Sequence, residues 1–209
     1  MVLCTVLVVG LVEIHNVRAD EVFKLDIDLA LRGHEDGMIV AVPRFALRTE
    51  QRFASGDWYY SKYFLGLRYD PSKTVSLAGY WVYQELRPVE AAEQLMVADV
   101  TFDGVKGRFS LQNRNRAEWR FTSDYFAYRN KLEVATKVGP GPLRLFVSEE
   151  FRIDADQRRI NAWEFQAGLR LQPAPPFRLK IYLSRQLYRR GLPEWYATDF
   201  IGLLIYVQR

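Results

Sequence analysis

The chain has 209 residues, of which 49% are hydrophobic, 14% aromatic and 26% charged, with a formal net charge of +4. This apolar content excludes a disordered chain, because it is enough to offset chain entropy. No run of about 18 apolar residues is present to make a helical membrane span. The 29 basic and 25 acidic residues are interspersed. A nucleic-acid binder clusters its basic residues, so no nucleic-acid partner is expected.

Residues 2–12, Val-Leu-Cys-Thr-Val-Leu-Val-Val-Gly-Leu-Val, form an apolar run that Glu13 ends. The run is too short to cross a bilayer and fits the apolar segment of a secretory signal. Val17-Arg18-Ala19 supplies the small residues that a signal peptidase reads. The sequence therefore predicts a signal peptide over residues 1–19 and a single domain over residues 20–209. No Lys or Arg precedes the run, so the basic leader of a typical signal is missing. The alternative is a buried N-terminal strand or helix. Cys4 is the single cysteine and lies in this segment, so the mature chain would hold no disulfide and no thiolate metal site.

Beyond residue 20 the dominant period is two, the period of a strand. In Phe23-Lys24-Leu25-Asp26-Ile27-Asp28-Leu29-Ala30-Leu31-Arg32 the odd positions are large and apolar, and most even positions are charged. A second strand sets Phe45 and Leu47 against Arg44, Arg48, Glu50 and Arg52. Pro43 must mark a bulge or a strand end, because proline donates no ladder hydrogen bond. The third strand sets Tyr63, Leu65 and Leu67 against Lys62, Gly66 and Arg68, and the fourth sets Leu77 and Trp81 against Ser76 and Tyr80. Residues 86–106 break the rhythm. Val89 to Gln94 reads as a helical turn, and Met96 to Leu111 as a hairpin turning at Asp103-Gly104. The fifth strand alternates Leu111 and Trp119 with Arg114, Arg116, Glu118 and Arg120, and the sixth alternates Leu132 and Val134 with Arg129, Lys131 and Glu133. Further strands follow near Leu143–Ile153, around Trp163–Leu171 with Glu164 and Arg170 on the polar side, at Leu179–Leu183, and at Ile201–Val207. Turns are predicted at residues 34–37, 54–57, 70–73, 139–142 and 173–176, each rich in Gly, Pro, Ser or Asp.

This makes an all-β antiparallel barrel of about ten strands. A soluble barrel and an outer-membrane barrel both alternate, but the first buries its apolar face and the second turns it to lipid. The predicted strands run about 10–14 residues, where a tilted membrane strand needs about 9–11 and globular strands cluster at about 5–6. Aromatics collect toward strand ends: Trp58, Tyr59, Tyr60, Tyr63, Tyr69, Trp119, Phe121, Tyr125, Phe126, Tyr128, Trp195 and Tyr196. Such rings suit a lipid–water interface. The polar faces mix Arg and Glu on single strands, and such ladders can pair inside a closed lumen. The expectation is therefore a transmembrane barrel of outer-membrane type. Both termini would lie on the periplasmic side, with outer-membrane lipid as the surroundings. The closing Gly202-x-x-Ile205-x-Val207 resembles the terminal motif read by the barrel assembly machinery, without its usual final aromatic. A soluble lipocalin-like barrel around a hydrophobic ligand is the rival fold.

Within Glu85–Gln208, several stretches resemble a small bacterial outer-membrane β-barrel family classed as a domain of unknown function. They are Glu85-x-Arg87, Leu111-x-x-Arg114-x-Arg116-x-Glu118-x-Arg120, Tyr128-Arg129-x-Lys131, Ser148-Glu149-Glu150-Phe151 and Gly168-Leu169. Glu164 stands near the place where that family usually carries Asn-Arg. The resemblance implies a fold and a location in Gram-negative bacteria, and transfers no catalytic residue.

The residues offer little chemistry. With His15 in the leader, His34 is the lone histidine of the mature chain and has no serine beside it, which makes an outer-membrane lipid hydrolase a weak alternative. Asp154-Ala155-Asp156 supplies two carboxylates where Ca²⁺ takes six to eight oxygens. No enzyme activity, cofactor or metal is expected, and no small-molecule ligand can be named. The lumen-facing set is Arg44, Arg48, Arg52, Arg68, Arg114, Arg116, Arg120, Arg129, Lys131 and Arg170, against Glu50, Glu118, Glu133 and Glu164. These residues either close the barrel as an internal ion-pair network or line a narrow anion-favouring channel.

Overall fold

The computed structural model describes residues 19–30, 42–52, 58–86, 91–174, 177–189 and 195–208. Among the described residues there are eleven strands: β1 (Ala19–Ala30), β2 (Val42–Arg52), β3 (Trp58–Tyr69), β4 (Val75–Leu86), β5 (Ala91–Lys106), β6 (Phe109–Arg120), β7 (Tyr125–Lys137), β8 (Leu143–Asp154), β9 (Arg159–Ala174), β10 (Phe177–Tyr188) and β11 (Tyr196–Gln208). Consecutive strands pair antiparallel, and β1 pairs with β11 in parallel, which closes the sheet into a barrel. Closure leaves no unpaired edge. The leader expected over residues 1–19 falls, except for Ala19, outside the described residues, as do the turns at 34–37 and 54–57. Pro43 is the second residue of β2, at a strand end as its missing N–H requires.

The region 86–106 departs from expectation. Ala91 to Gln94 is strand and not a helical turn, and Asp103-Gly104 lies inside β5. The reversal comes at Gly107-Arg108, where Gly107 has φ +60°, a conformation that costs glycine little. The reason the strand was hidden is local. Leu95, Met96 and Val97 are all apolar, so the two faces carry no contrast there. The extra strand also changes the topology. With β1 parallel to β11, the start of β1 and the end of β11 lie at opposite rims, not both at one.

Register fixes the two faces. Lys62, Tyr80, Leu95, Glu118, Lys131, Glu150, Glu164 and Tyr182 turn inward on successive strands, because each shares its rung or its parity with the next. Leu65, Leu183 and Val147 turn outward and are 59%, 64% and 54% exposed. Most of the large apolar side chains described on β3 to β11 thus form an outer belt, opposite to a lipocalin-like arrangement. Tyr63, Trp119, Phe121 and Phe126 lie toward one rim of that belt, and Tyr69, Phe102, Phe109 and Phe177 toward the other. Tyr60 and Tyr125 do not join them. The Tyr60 hydroxyl reaches Gln84 at 3.4 Å, and the Tyr125 hydroxyl accepts from Asn161 at 2.8 Å, both on the inner side.

Inward glycines make room for rings. A Cβ on Gly66 would lie 2.5 Å from the Tyr80 ring, and a Cβ on Gly202 would lie 2.1 Å from the Tyr182 ring. The period-two pattern therefore places glycine where a tyrosine lies across the neighbouring strand.

A charged lumen as candidate functional site

The inner face of β6 carries Arg114, Arg116, Glu118 and Arg120, one per rung, and each finds a partner on another strand. Arg116 clamps Asp99 of β5 with Nε at 2.6 Å and Nη2 at 2.7 Å, the planar two-bond geometry that suits guanidinium to carboxylate. Arg120 meets Glu93 at 2.7 Å. Glu118 is fully buried, accepts from Arg129 of β7 at 3.1 Å and lies 3.8 Å from Arg116. Glu150 of β8 joins Arg129 to Arg114, the latter at 2.8 Å. Buried carboxylates and guanidinium groups are tolerated only in such pairs, because an unpaired buried charge is costly.

The network also crosses the lumen. Lys24 of β1 lies 3.9 Å from Glu50 of β2 and 3.7 Å from Glu164 of β9. Glu164 accepts further bonds from Gln166 at 2.8 Å and Ser184 at 3.1 Å. Lys131 donates to Gln166 at 2.6 Å. Glu133 receives Lys180 at 2.5 Å and is paired with Arg170. Arg68 bonds Asp70 at 2.8 Å and Ser76 at 2.7 Å.

These pairs divide the interior. One cavity of about 270 Å³ lies toward the rim of the 70–74, 107–108 and 138–142 turns, between Arg68, Tyr80, Gln112, Arg170, Arg178 and Tyr206. A second, of about 280 Å³, lies toward the other rim, between Tyr60, Gln84, Arg120, Arg152 and Gln186. Lys24, Arg129, Glu150 and Glu164 border both, so they form the septum between them. Among the described residues no group of three or more His, Cys, Asp or Glu side chains is placed to hold a metal. Asp154 turns back to accept the backbone N–H of Asp156 at 3.0 Å and of Gln157 at 3.1 Å, so its carboxylate shapes the β8–β9 turn. His34 lies outside the described residues.

Of the predicted lumen set, Glu50, Arg68, Arg114, Arg116, Glu118, Arg120, Arg129, Lys131, Glu133, Glu164 and Arg170 take part in this network. Arg44, Arg48 and Arg52 lie on β2, opposite Gly66, Lys62 and Val22 in register, and their side chains lie outside the description. The sequence reading missed Lys24, Asp99, Glu150 and Lys180 as lumen residues. For Asp99 the signal was available once β5 is read as unbroken, because its odd positions then face the inward positions of β4.

Arg129 and Glu150 of the septum, with their partners Arg114 and Glu118, fall on the Arg-x-Arg-x-Glu-x-Arg strand and on the Tyr128-Arg129-x-Lys131 and Ser148-Glu149-Glu150-Phe151 stretches. A family model covers these and more, matching residues 36–195. The chain belongs to the family described as Protein of unknown function (DUF2490). The DUF2490 match begins well before Glu85, so it also takes in β2, β3 and β4, which the sequence motifs did not reach. It stops short of β11, the strand that closes the barrel. A search of curated proteins returns no match.

Proposed function

We propose that this chain is an outer-membrane β-barrel of Gram-negative bacteria. In this reading it is exported behind residues 1–19, folded by the barrel assembly machinery, and structural or transport-related in role without catalysis. The observation that supports this best is the inversion of the fold, with ion pairs inside and large apolar side chains outside. In water that outer belt would be an exposed apolar surface far beyond what a soluble monomer carries. In lipid it is matched, and the two aromatic rims fall where headgroups lie. The septum favours a closed lumen over an open pore.

A narrow anion-favouring channel is the second reading. Nine basic and three acidic side chains line the first cavity among its described residues, against five and three in the second. An ion passing between them would have to part the Glu118–Arg129–Glu150 pairs. Mobility on SDS gels tests the main proposal. A closed outer-membrane barrel migrates faster unboiled than boiled. No shift, with a chain soluble without detergent, overturns it. Planar-bilayer recording then separates the readings. A closed barrel gives no conductance. An anion-selective current lost in Arg114→Gln replaces the structural role with a channel.

A further inference from the structure

Among the described residues a polar patch interrupts the middle of the outer belt, on the side opposite the septum residues of the same strands. Asn113 and Asn115 of β6, Tyr128 and Asn130 of β7 and Glu149 of β8 take outward positions, half-buried and near the middle of their strands. Asn115 donates to Asn113 at 2.8 Å, Asn130 to Asn115 at 3.0 Å, and the Tyr128 hydroxyl to Asn115 at 2.6 Å. Glu149 accepts from the Trp163 indole N–H at 2.8 Å. Around the patch the belt resumes with Phe102, Leu111 and Val147.

Polar groups facing hydrocarbon are costly, and a carboxylate costs more than an amide. The asparagines bond one another and accept the Tyr128 hydroxyl, so every amide oxygen already accepts a bond while Asn113 and Asn115 each keep an N–H hydrogen to donate. Glu149 is the reverse. It has one donor, from Trp163, and acceptor capacity to spare. The donor-rich part lies on β6 and the acceptor-rich part on β8, on either side of Leu132 of β7, which sits opposite both Asn113 and Glu149 in register.

We infer that this patch is an interface between two copies of the chain, related by a two-fold axis parallel to the barrel axis and passing in front of β7. Such an axis keeps both copies in the same sense of insertion. It carries β8 of each copy opposite β6 of the other, so that each Glu149 meets the asparagine N–H groups of its partner. The surface is self-complementary, as a two-fold contact requires. Ala98 and Ala117, adjacent in register beside Asn115, let the walls approach closely. The inference rests on the proposed membrane location, since in water the same patch would be solvated without a partner.

Site-directed cross-linking in native outer membranes tests it. The full chain carries Cys4→Ser with Leu132→Cys on β7, and a control carries Cys4→Ser with Ile181→Cys on the outer face of β10. Mild oxidation is expected to give a band of twice the chain mass for Leu132→Cys and none for Ile181→Cys. Adding Asn115→Leu and Asn130→Leu should cut the yield at least tenfold while the heat-dependent gel shift persists, which shows the barrel is intact. Two results overturn the interface: a shift-competent barrel with no Leu132→Cys dimer, or an adduct solely with a different protein. Loss of the gel shift in the parent chain instead removes the membrane reading on which the interface depends.

Discussion

The wall built by β4 and β5 and the wall built by β6 to β8 enclose the same lumen with opposite chemistry. On the first, Tyr80, Val82, Leu95 and Val97 face inward with Phe64 and are almost fully buried, with Phe64 and Tyr80 meeting edge to face at 6.1 Å. On the second, Arg114, Arg116, Glu118, Arg129 and Glu150 face inward and are tied by ion pairs. The apolar wall is held by area and shape, which are non-directional. The charged wall is held by partners, and its cost of desolvation is met only while every partner is present. The two walls are joined by Arg116, which reaches from β6 to Asp99 of β5.

The contrast can be broken from either side, and the charged wall should yield most. Glu118→Ala leaves the Arg129 and Arg116 guanidinium groups without their shared acceptor. The expected loss is about 3–5 kcal/mol, the usual cost of removing one partner of a buried pair, read as the midpoint of urea unfolding followed by gel mobility. Leu95→Ala opens a cavity in the apolar wall and should cost about 2–5 kcal/mol in the same assay, with no change in salt dependence. An equal salt response of the two variants would show that the walls do not differ as described.

Gly168→Ala tests the packing of β9 against β10, beyond the charged wall. Its new Cβ would fall 2.2 Å from the Ile181 carbonyl oxygen and 2.8 Å from Tyr182 Cβ. Such overpacking should lower stability by about 1–3 kcal/mol, and tyrosine fluorescence should report the displaced ring. The smallest effect is expected outside. Arg185 and Asp199 pair at 2.6 Å on the outer side of β10 and β11, each more than a third exposed. Asp199→Asn should change the unfolding midpoint by no more than about 1 kcal/mol, as for other exposed pairs.

The charged wall was legible in the sequence because Arg114, Arg116, Glu118 and Arg120 alternate with residues of another kind. The apolar wall was not. Val82 shares the parity of Ser76 and Tyr80 without their polarity, Leu95 and Val97 fall in the segment that reads as a helical turn and a hairpin, and around Leu95-Met96-Val97 both faces look alike. The same blindness hid Asn113, Asn115, Asn130 and Glu149. They stand on the apolar parity of their strands, and a polar residue beside a run of arginines does not stand out until the faces are separated.

The amino-acid order by itself determined that the chain forms strands, where most of them turn, and which side chains share a face, since a period of two and a few Gly-Pro reversals suffice for that. Tertiary structure decided the rest: the eleven strands among the described residues, the parallel β1–β11 seam, and the choice of partners for each charge. Those depend on the summed register of every strand pair around a closed barrel. Lys24 meets Glu164 across the lumen through geometry that no local stretch of sequence contains.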